Sequence, residues 1–283
     1  MRSYIIYMNI KDFISSEKSY FKPMLERAIN FSEEQRIQWR KETVAQRQER
    51  VSLELFDLLG GCVKYGPFRG LKLQKNTWWG KSDLGSMLMG FYEKEILDFI
   101  DSLKDEQFST FIDIGAADGY YACGLLHSKK IRKAVCFEKS ELGRNVIQNN
   151  WINNDSCGEL KIIGEANIDT IKALPASSLN NSLILVDIEG YEFELLTDSV
   201  LSTFSNCTVI IEIHNWIDDF LVKYENLLIN ASKYFNIEPI QQVERSTSTY
   251  PELRDFTDDN RLLLVSERRP CLMRFLKLTP LTK

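Results

Sequence analysis

From about residue 92 onward, short apolar runs alternate with longer stretches of helical period. The runs fall at 111–115, 133–138, 160–164, 182–188 and 207–213, and the helical stretches at 120–130, 140–152, 191–204 and 217–233. The runs are apolar at nearly every position rather than at every second one, the pattern of strands covered on both faces. Strand and helix in alternation predict a doubly wound, mostly parallel α/β sheet. Two further segments, 236–243 and 260–267, predict a terminal antiparallel pair joined by the polar stretch 244–259, which completes seven strands.

The upstream pattern is different. Ser32-Glu-Glu-Gln35 reads as a capping box, and helical period continues from it to Gly60-Gly61. Residues 40–50 are polar nearly all round, so the expected buried positions are Leu53, Leu55, Phe56, Leu58 and Leu59. Turn glycines and short alternating stretches over 62–80 predict a small hairpin. Within it, the adjacent Trp78 and Trp79 face opposite ways, either as part of a lid or as packing onto the sheet. A helix over 92–103 leads into the first core strand. Residues 1–84 are thus expected to form a helical and β-hairpin extension, and 85–283 the sheet domain.

Composition narrows the function classes. An apolar fraction of 44% excludes general disorder, and a net charge of −5 offers nucleic acid no global attraction. The six cysteines form no C-x-x-C pair and no cluster with histidine, which predicts reduced thiols and a cytoplasmic location. The apolar patch near the amino end is too short to span a bilayer and lacks the pattern of a signal peptide. The tail 266–283 mixes five basic residues and one acid with Leu272, Met273, Phe275, Leu276 and Leu278. That mixture suits a packed terminal segment or a surface helix touching anionic lipid.

The chemistry gathers at the ends of the apolar runs. Phe111-Ile-Asp-Ile-Gly-Ala-Ala-Asp-Gly119 is a strand that breaks into a glycine turn with an acid on each side. Gly115 and Gly119 allow a sharp turn and close approach of backbone to a ligand, and the helix that follows presents its positive end. A dinucleotide fingerprint would read G-x-G-x-x-G, and Asp118 would set a negative charge where a pyrophosphate rests. The stretch resembles instead the cofactor loop of S-adenosylmethionine (SAM) methyltransferases. On that resemblance Asp113, Gly115, Ala116, Asp118 and Gly119 are expected to bind cofactor. Glu138, 23 residues after Gly115 at the end of the next run, stands near the offset at which an acid meets ribose hydroxyls. Its plainer alternative is a solvated acid that opens a helix.

Asp187 and Glu189 end the fourth run, and Glu212 and His214 the fifth. Alternation along a strand puts the members of each pair on one side, so both pairs can address a crevice beyond the carboxyl edge of the sheet. Here the chain resembles the FkbM family of SAM-dependent methyltransferases. Its D-x-E-G-x-E-x-x-x-L signature is met by Asp187, Glu189, Gly190, Glu192 and Leu196, and its E-x-H segment by Glu212 to His214. The stretch Gly90-Phe-Tyr-Glu93 is similar to the family's glycine and Tyr-Glu stretch, which adds Tyr92 and Glu93 to the expected cofactor contacts. The likeness covers about residues 85 to 215.

This resemblance implies a class I methyltransferase fold, SAM as cofactor and methyl transfer to a hydroxyl of a sugar or glycosylated product, as in surface-polysaccharide or natural-product synthesis. His214 is then the expected general base, with Asp187 as the second choice and Glu212 or a nearby acid orienting the ring. Alternatively Asp187, Glu189 and Glu212 hold Mg²⁺ against the acceptor hydroxyl. Structural roles also exist for these residues: a buried hydrogen-bonded histidine, and helix-start acids at Glu189 and Glu192. Small-molecule N-methylation and a SAM-binding scaffold without turnover are the competing functions.

Overall fold

The computed structural model describes residues 10–29, 33–269, 271 and 273–281. Three helices come first: α1 (Ile10–Ile29), α2 (Glu33–Trp39) and α3 (Val44–Leu59). The single helix expected over 32–60 is interrupted, because a second capping box restarts it. The Thr43 hydroxyl accepts from the Gln46 amide at 3.2 Å while the Gln46 side chain accepts from the Thr43 amide at 2.9 Å. The box expected at Ser32 lies outside the described residues. Gly60 ends α3 in the left-handed conformation, as the glycine pair predicts. Of the expected apolar positions Leu55 is buried, whereas Leu58 is 61% exposed; Gln48, Val51 and Ser52 complete the buried side.

Residues 62–80 make one isolated bridge, Cys62 to Lys72, in place of the expected hairpin. Gly66-Pro67 and Gly70 turn the chain too often for a ladder, and Phe68 anchors the loop in the core instead. Helices α4 (Leu84–Met89) and α5 (Lys94–Ser102) then lead to the sheet.

The core runs β1 (Phe111–Ile114), α6 (Tyr120–His127), β2 (Lys133–Phe137), α7 (Glu141–Asn153), β3 (Glu159–Ile163), α8 (Ile168–Lys172) and β4 (Leu183–Val186). It continues with α9 (Glu192–Leu195), α10 (Asp198–Thr203), β5 (Thr208–Ile213), α11 (Phe220–Ser232), β6 (Phe235–Ile240), α12 (Asp258–Leu264) and β7 (Arg274–Pro280). The seven strands lie in the order β3-β2-β1-β4-β5-β7-β6. β1 to β5 are parallel, and β7 pairs antiparallel with both β5 and β6. This is the doubly wound, mostly parallel seven-stranded sheet of class I methyltransferases, with the helical extension before it. β1 and β4 are buried at every position, and their successive residues feed opposite cores: Phe111, Leu183 and Leu185 on one face, Ile112, Ile184 and Val186 on the other. The chain moves outward from β1 to β3 and then returns to β4, so the carboxyl ends of β1 and β4 flank the switch point, where such sheets open a crevice.

The end of the chain corrects two expectations. Residues 260–267 do not form the last strand: Thr257 caps the helix by accepting from the Asn260 amide, and Asp258 and Asp259 sit in its first turn, so α12 forms there. The last strand is β7, with Phe275 and Leu278 fully buried. The tail is therefore a sheet strand between two others, which corrects the lipid-touching surface helix: Met273, Phe275, Leu276 and Leu278 are committed to the core, and Leu272 lies outside the described residues. Of its basic residues, Lys277 pairs with Glu238 at 2.8 Å and Arg269 turns inward. Likewise the helix expected over 191–204 is two, because Thr197 caps α10 anew. Among the described residues no helix is long and apolar enough to cross a membrane.

Candidate functional site

The crevice begins at Gly115. Its φ is +95°, and a Cβ there would stand 1.7 Å from the carbonyl oxygen of Asp187, so only glycine lets β1 turn against the end of β4. The amides of Gly115 and Ala116 both donate to the Phe137 carbonyl at 3.0 Å, tying the turn to β2. Glu138 follows directly. Its two carboxylate oxygens accept from the Ala117 amide at 2.9 Å and the Ser140 amide at 2.6 Å. A carboxylate oxygen has a second lone pair, so each can still accept from a ligand hydroxyl.

Glu138 borders a cavity of about 540 Å³, within the size range of small-molecule and cofactor sites. Phe137, Ala166 and Ile188 supply apolar wall, Gly115 and Ala117 little or no side chain, and Asp187 and Glu189 carboxylates. Trp78 and Trp79 line it too, 40% and 47% exposed, so neither ring is packed into the core. Gly143 makes room for Trp78, since a Cβ there would meet both Trp78 and Glu138 at 2.8 Å.

A second compartment of about 300 Å³ adjoins the first, and the two share Trp79, Tyr92, Asp187 and Glu189. His214 stands in it at the end of β5. The ring Nδ1 lies 3.0 Å from a Glu192 carboxylate oxygen that also accepts the His214 amide at 2.9 Å, while the other oxygen accepts from the Gly190 amide. Glu192 is fully buried. Since a carboxylate only accepts, Nδ1 carries the proton and Nε2 faces the compartment. There it has Asp187, Glu189 and Glu212 at 3.5, 3.7 and 3.8 Å, ion-pair rather than hydrogen-bond distances. Burial pulls the His214 pKa down, but the Glu192 bond and charge and the charges of Asp187 and Glu189 outweigh it, so the pKa is raised. Burial and the charge of Glu93 push Asp187 up to about 7, against an opposing pull from His214.

The remaining expected residues are placed as follows. Asp113 is buried beneath the crevice and borders neither compartment. Burial first, then Asp187, Glu93 and Glu138, hold its carboxyl well above the usual range. Asp118 faces away from the cavity and accepts from the Trp78 amide at 2.7 Å and the Trp79 amide at 3.4 Å, so it positions the tryptophan pair. Gly119, in the left-handed region, packs on Ile147. Tyr92 lines both compartments, and buried Glu93 accepts from the Tyr121 hydroxyl at 2.6 Å. Asp187, Glu212 and His214 each offer one ligand atom within 4.8 Å of the others. That set substitutes His214 for Glu189 in the expected carboxylate trio, and an imidazole in the set suits a transition ion better than Mg²⁺.

A buried charge network behind this compartment has no counterpart among the expected site residues. Arg269 bonds Glu212, Glu93 at 2.8 Å and Glu267 at 2.7 Å, and Arg245 bonds Glu267 at 2.6 Å, Glu95 at 3.2 Å and the Phe91 carbonyl at 2.8 Å. Glu212 is thus held by Arg269, and it is Glu192 that orients the imidazole. No local pattern marks Arg245, Glu267 or Arg269, which lie in stretches expected to be linker, strand and basic tail.

No family model and no curated protein matches the chain. Among solved structures, it is similar to spermidine synthase from Thermotoga maritima, at 14% identity and TM-score 0.43 over 67% of this chain and 60% of that one. A candidate rRNA-methylase from Clostridium thermocellum gives 10% identity and TM-score 0.44 over 66% and 93%. The cofactor-bound protein Rv0187 from MTB gives 11% and 0.40 over 97% and 99%. The chain thus spans about 60% of the length of the spermidine synthase it matches. With TM-scores this low, the fold assignment rests on the strand order and pairing described above.

Proposed function

We propose that the chain is a SAM-dependent methyltransferase that methylates a hydroxyl oxygen, of a sugar or glycosylated product. One observation carries the reading: a cavity with a ribose-type carboxylate, Glu138, opens through Asp187 and Tyr92 into a compartment that holds a carboxylate-oriented histidine. The motif resemblance at Asp187–Glu192 and Glu212–His214 supports it. SAM supplies a methyl group already activated on a positive sulfur. Glu138 would hold its ribose through the free lone pairs of both oxygens, and Phe137, Ala166 and Ile188 would enclose its base. Asp187 and Glu189 would face its positive charge. On the acceptor side Nε2 of His214 takes the hydroxyl proton, Glu192 stabilises the ring that then carries two protons, and the tryptophan pair covers the site and excludes water.

Glu138→Gln keeps one acceptor oxygen and loses the charge, and is expected to weaken SAM binding by about 10- to 100-fold. Calorimetry on the purified chain measures this, with circular dichroism to show that the fold survives; unchanged affinity rejects the ribose role. The acceptor class is read by mass spectrometry of glycans incubated with labelled SAM, which separates O-methyl from N-methyl products and both from a scaffold without turnover. A metal-assisted version is favoured by the proximity of Asp187, Glu212 and His214. It predicts loss of turnover on chelation and recovery with added divalent ion, whereas activity that persists in chelator dismisses the metal.

A further inference from the structure

The smaller compartment is lined by six carboxylates, Asp83, Glu93, Asp187, Glu189, Glu212 and Glu267, against the two guanidinium groups of Arg268 and Arg269. Most of these acids have partners. Arg269 binds Glu93, Glu212 and Glu267, while Asp187 and Glu189 face the His214 ring. Among the buried acids of this compartment Asp83 differs in having no hydrogen bond to its carboxylate, only a long ion pair. It is only 5% exposed, and its Oδ1 is buried with no hydrogen-bond partner. Its side chain does not cap α4, although it stands at that helix's amino end. Its nearest cation is Arg268, 3.8 Å from Oδ2, and that arginine is 43% exposed. A buried carboxylate held by no hydrogen bond is costly to keep, and beside the charged groups the compartment it borders is walled by Trp79, Tyr92 and Trp216. Aromatic faces beside an unspent carboxylate favour a cation and disfavour an anion.

We infer that the acceptor carries a protonated amine, and that Asp83 anchors this ammonium group while a hydroxyl of the same molecule is presented to His214. This rests on the methyl-transfer reading above and narrows it from sugars in general to amino sugars and similar amine-bearing alcohols. The amine is the handle, held by charge and hydrogen bond, and the bond-forming atom remains the hydroxyl oxygen. Uronic acids and phosphorylated sugars are excluded by the same surplus of carboxylates.

The test uses the full chain saturated with S-adenosylhomocysteine and three matched probes: methyl glucosaminide, methyl glucoside and methyl glucuronide. Calorimetric affinities should fall in that order, with at least about tenfold between the first and the last, the usual strength of a charge-assisted hydrogen bond. In Asp83→Asn the advantage of the glucosaminide over the glucoside should vanish, while S-adenosylhomocysteine affinity stays at the wild-type value. The variant should also melt higher than the wild type above about pH 6, since burial, outweighing the pull of Arg268, raises the Asp83 pKa to about 6 and makes its charge costly in the fold. Equal binding of all three probes, preference for the anion, no binding of any, or a preference that survives in Asp83→Asn each overturns the inference. Loss of S-adenosylhomocysteine affinity in the variant also overturns it, because Asp83 would then serve the donor. Failure of the wild type to bind S-adenosylhomocysteine at all is a separate result, which removes the methyltransferase reading itself.

Discussion

Replacing His214 with alanine is expected to lower kcat by about 100- to 10,000-fold, the usual contribution of a positioned general base. SAM affinity should stay near the wild-type value, because the ring borders the smaller compartment and not the larger cavity. The pH profile carries the sharper test. The base works only when Nε2 is unprotonated, and the folded protein raises the ring's pKa, so turnover should climb with pH through a value above about 6.5. Glu192→Gln removes a charge that holds this pKa up, and its limb should shift to lower pH. The plateau should fall as well, since the doubly protonated ring loses its partner. Single-turnover rates with labelled SAM across neutral pH measure both effects. A profile that does not move in Glu192→Gln would show that the titrating base is another group, and Asp187, pushed up to about 7, is the next choice.

Gly115→Ala is expected to destabilise the fold by about 3 kcal/mol or more, the range of severe backbone strain and overpacking. Two causes add at this one position: φ is +95°, and the new methyl group would meet the Asp187 carbonyl at 1.7 Å. Backbone cannot swing away as a side-chain end can. β1 and β4 are hydrogen-bonded neighbours, so the sheet itself must open to relieve the contact. For a chain of this size the melting temperature should drop by at least about 6 °C. Gly164→Ala is the matched control: nothing lies within 4 Å of a Cβ there, and its melt should be unchanged. The measurement is made without SAM, because the obstruction is protein backbone rather than ligand. A Gly115→Ala melt that overlays the wild type would mean that the turn relaxes freely and that the glycine serves the ligand alone.

Much of this molecule was legible along the chain. The apolar runs at 111–115 and 182–188 gave buried parallel strands because a strand covered on both faces has few polar positions to hide. Gly115 and Glu138 stood out because a turn at a strand end and an acid one crossover later are local arrangements, fixed by spacing alone. The pairs Asp187/Glu189 and Glu212/His214 could be placed on one rim for the same reason, given parallel neighbours.

What failed were choices between segments that local pattern leaves equivalent. Residues 260–267 and 274–280 are both apolar enough for a strand; the cap at Thr257 and the vacant place between β5 and β6 decide for the second. Asp118 has the right neighbours in sequence for a ligand contact, yet its carboxylate turns to the tryptophan amides, which reach it from 40 residues upstream. The partner of His214 could be Glu212 by proximity in the chain, but Arg269 binds that acid and leaves Glu192 to orient the ring. Sequence by itself determined the layered sheet, the glycine turn and the acids along its rim, because each follows from period and short spacing. Only the tertiary structure decided which carboxylate holds the imidazole, which arginines balance the buried acids, and that Asp83 is left with an oxygen unpaired. Charges separated by tens to hundreds of residues find their partners through the packing of whole elements, which no local pattern encodes.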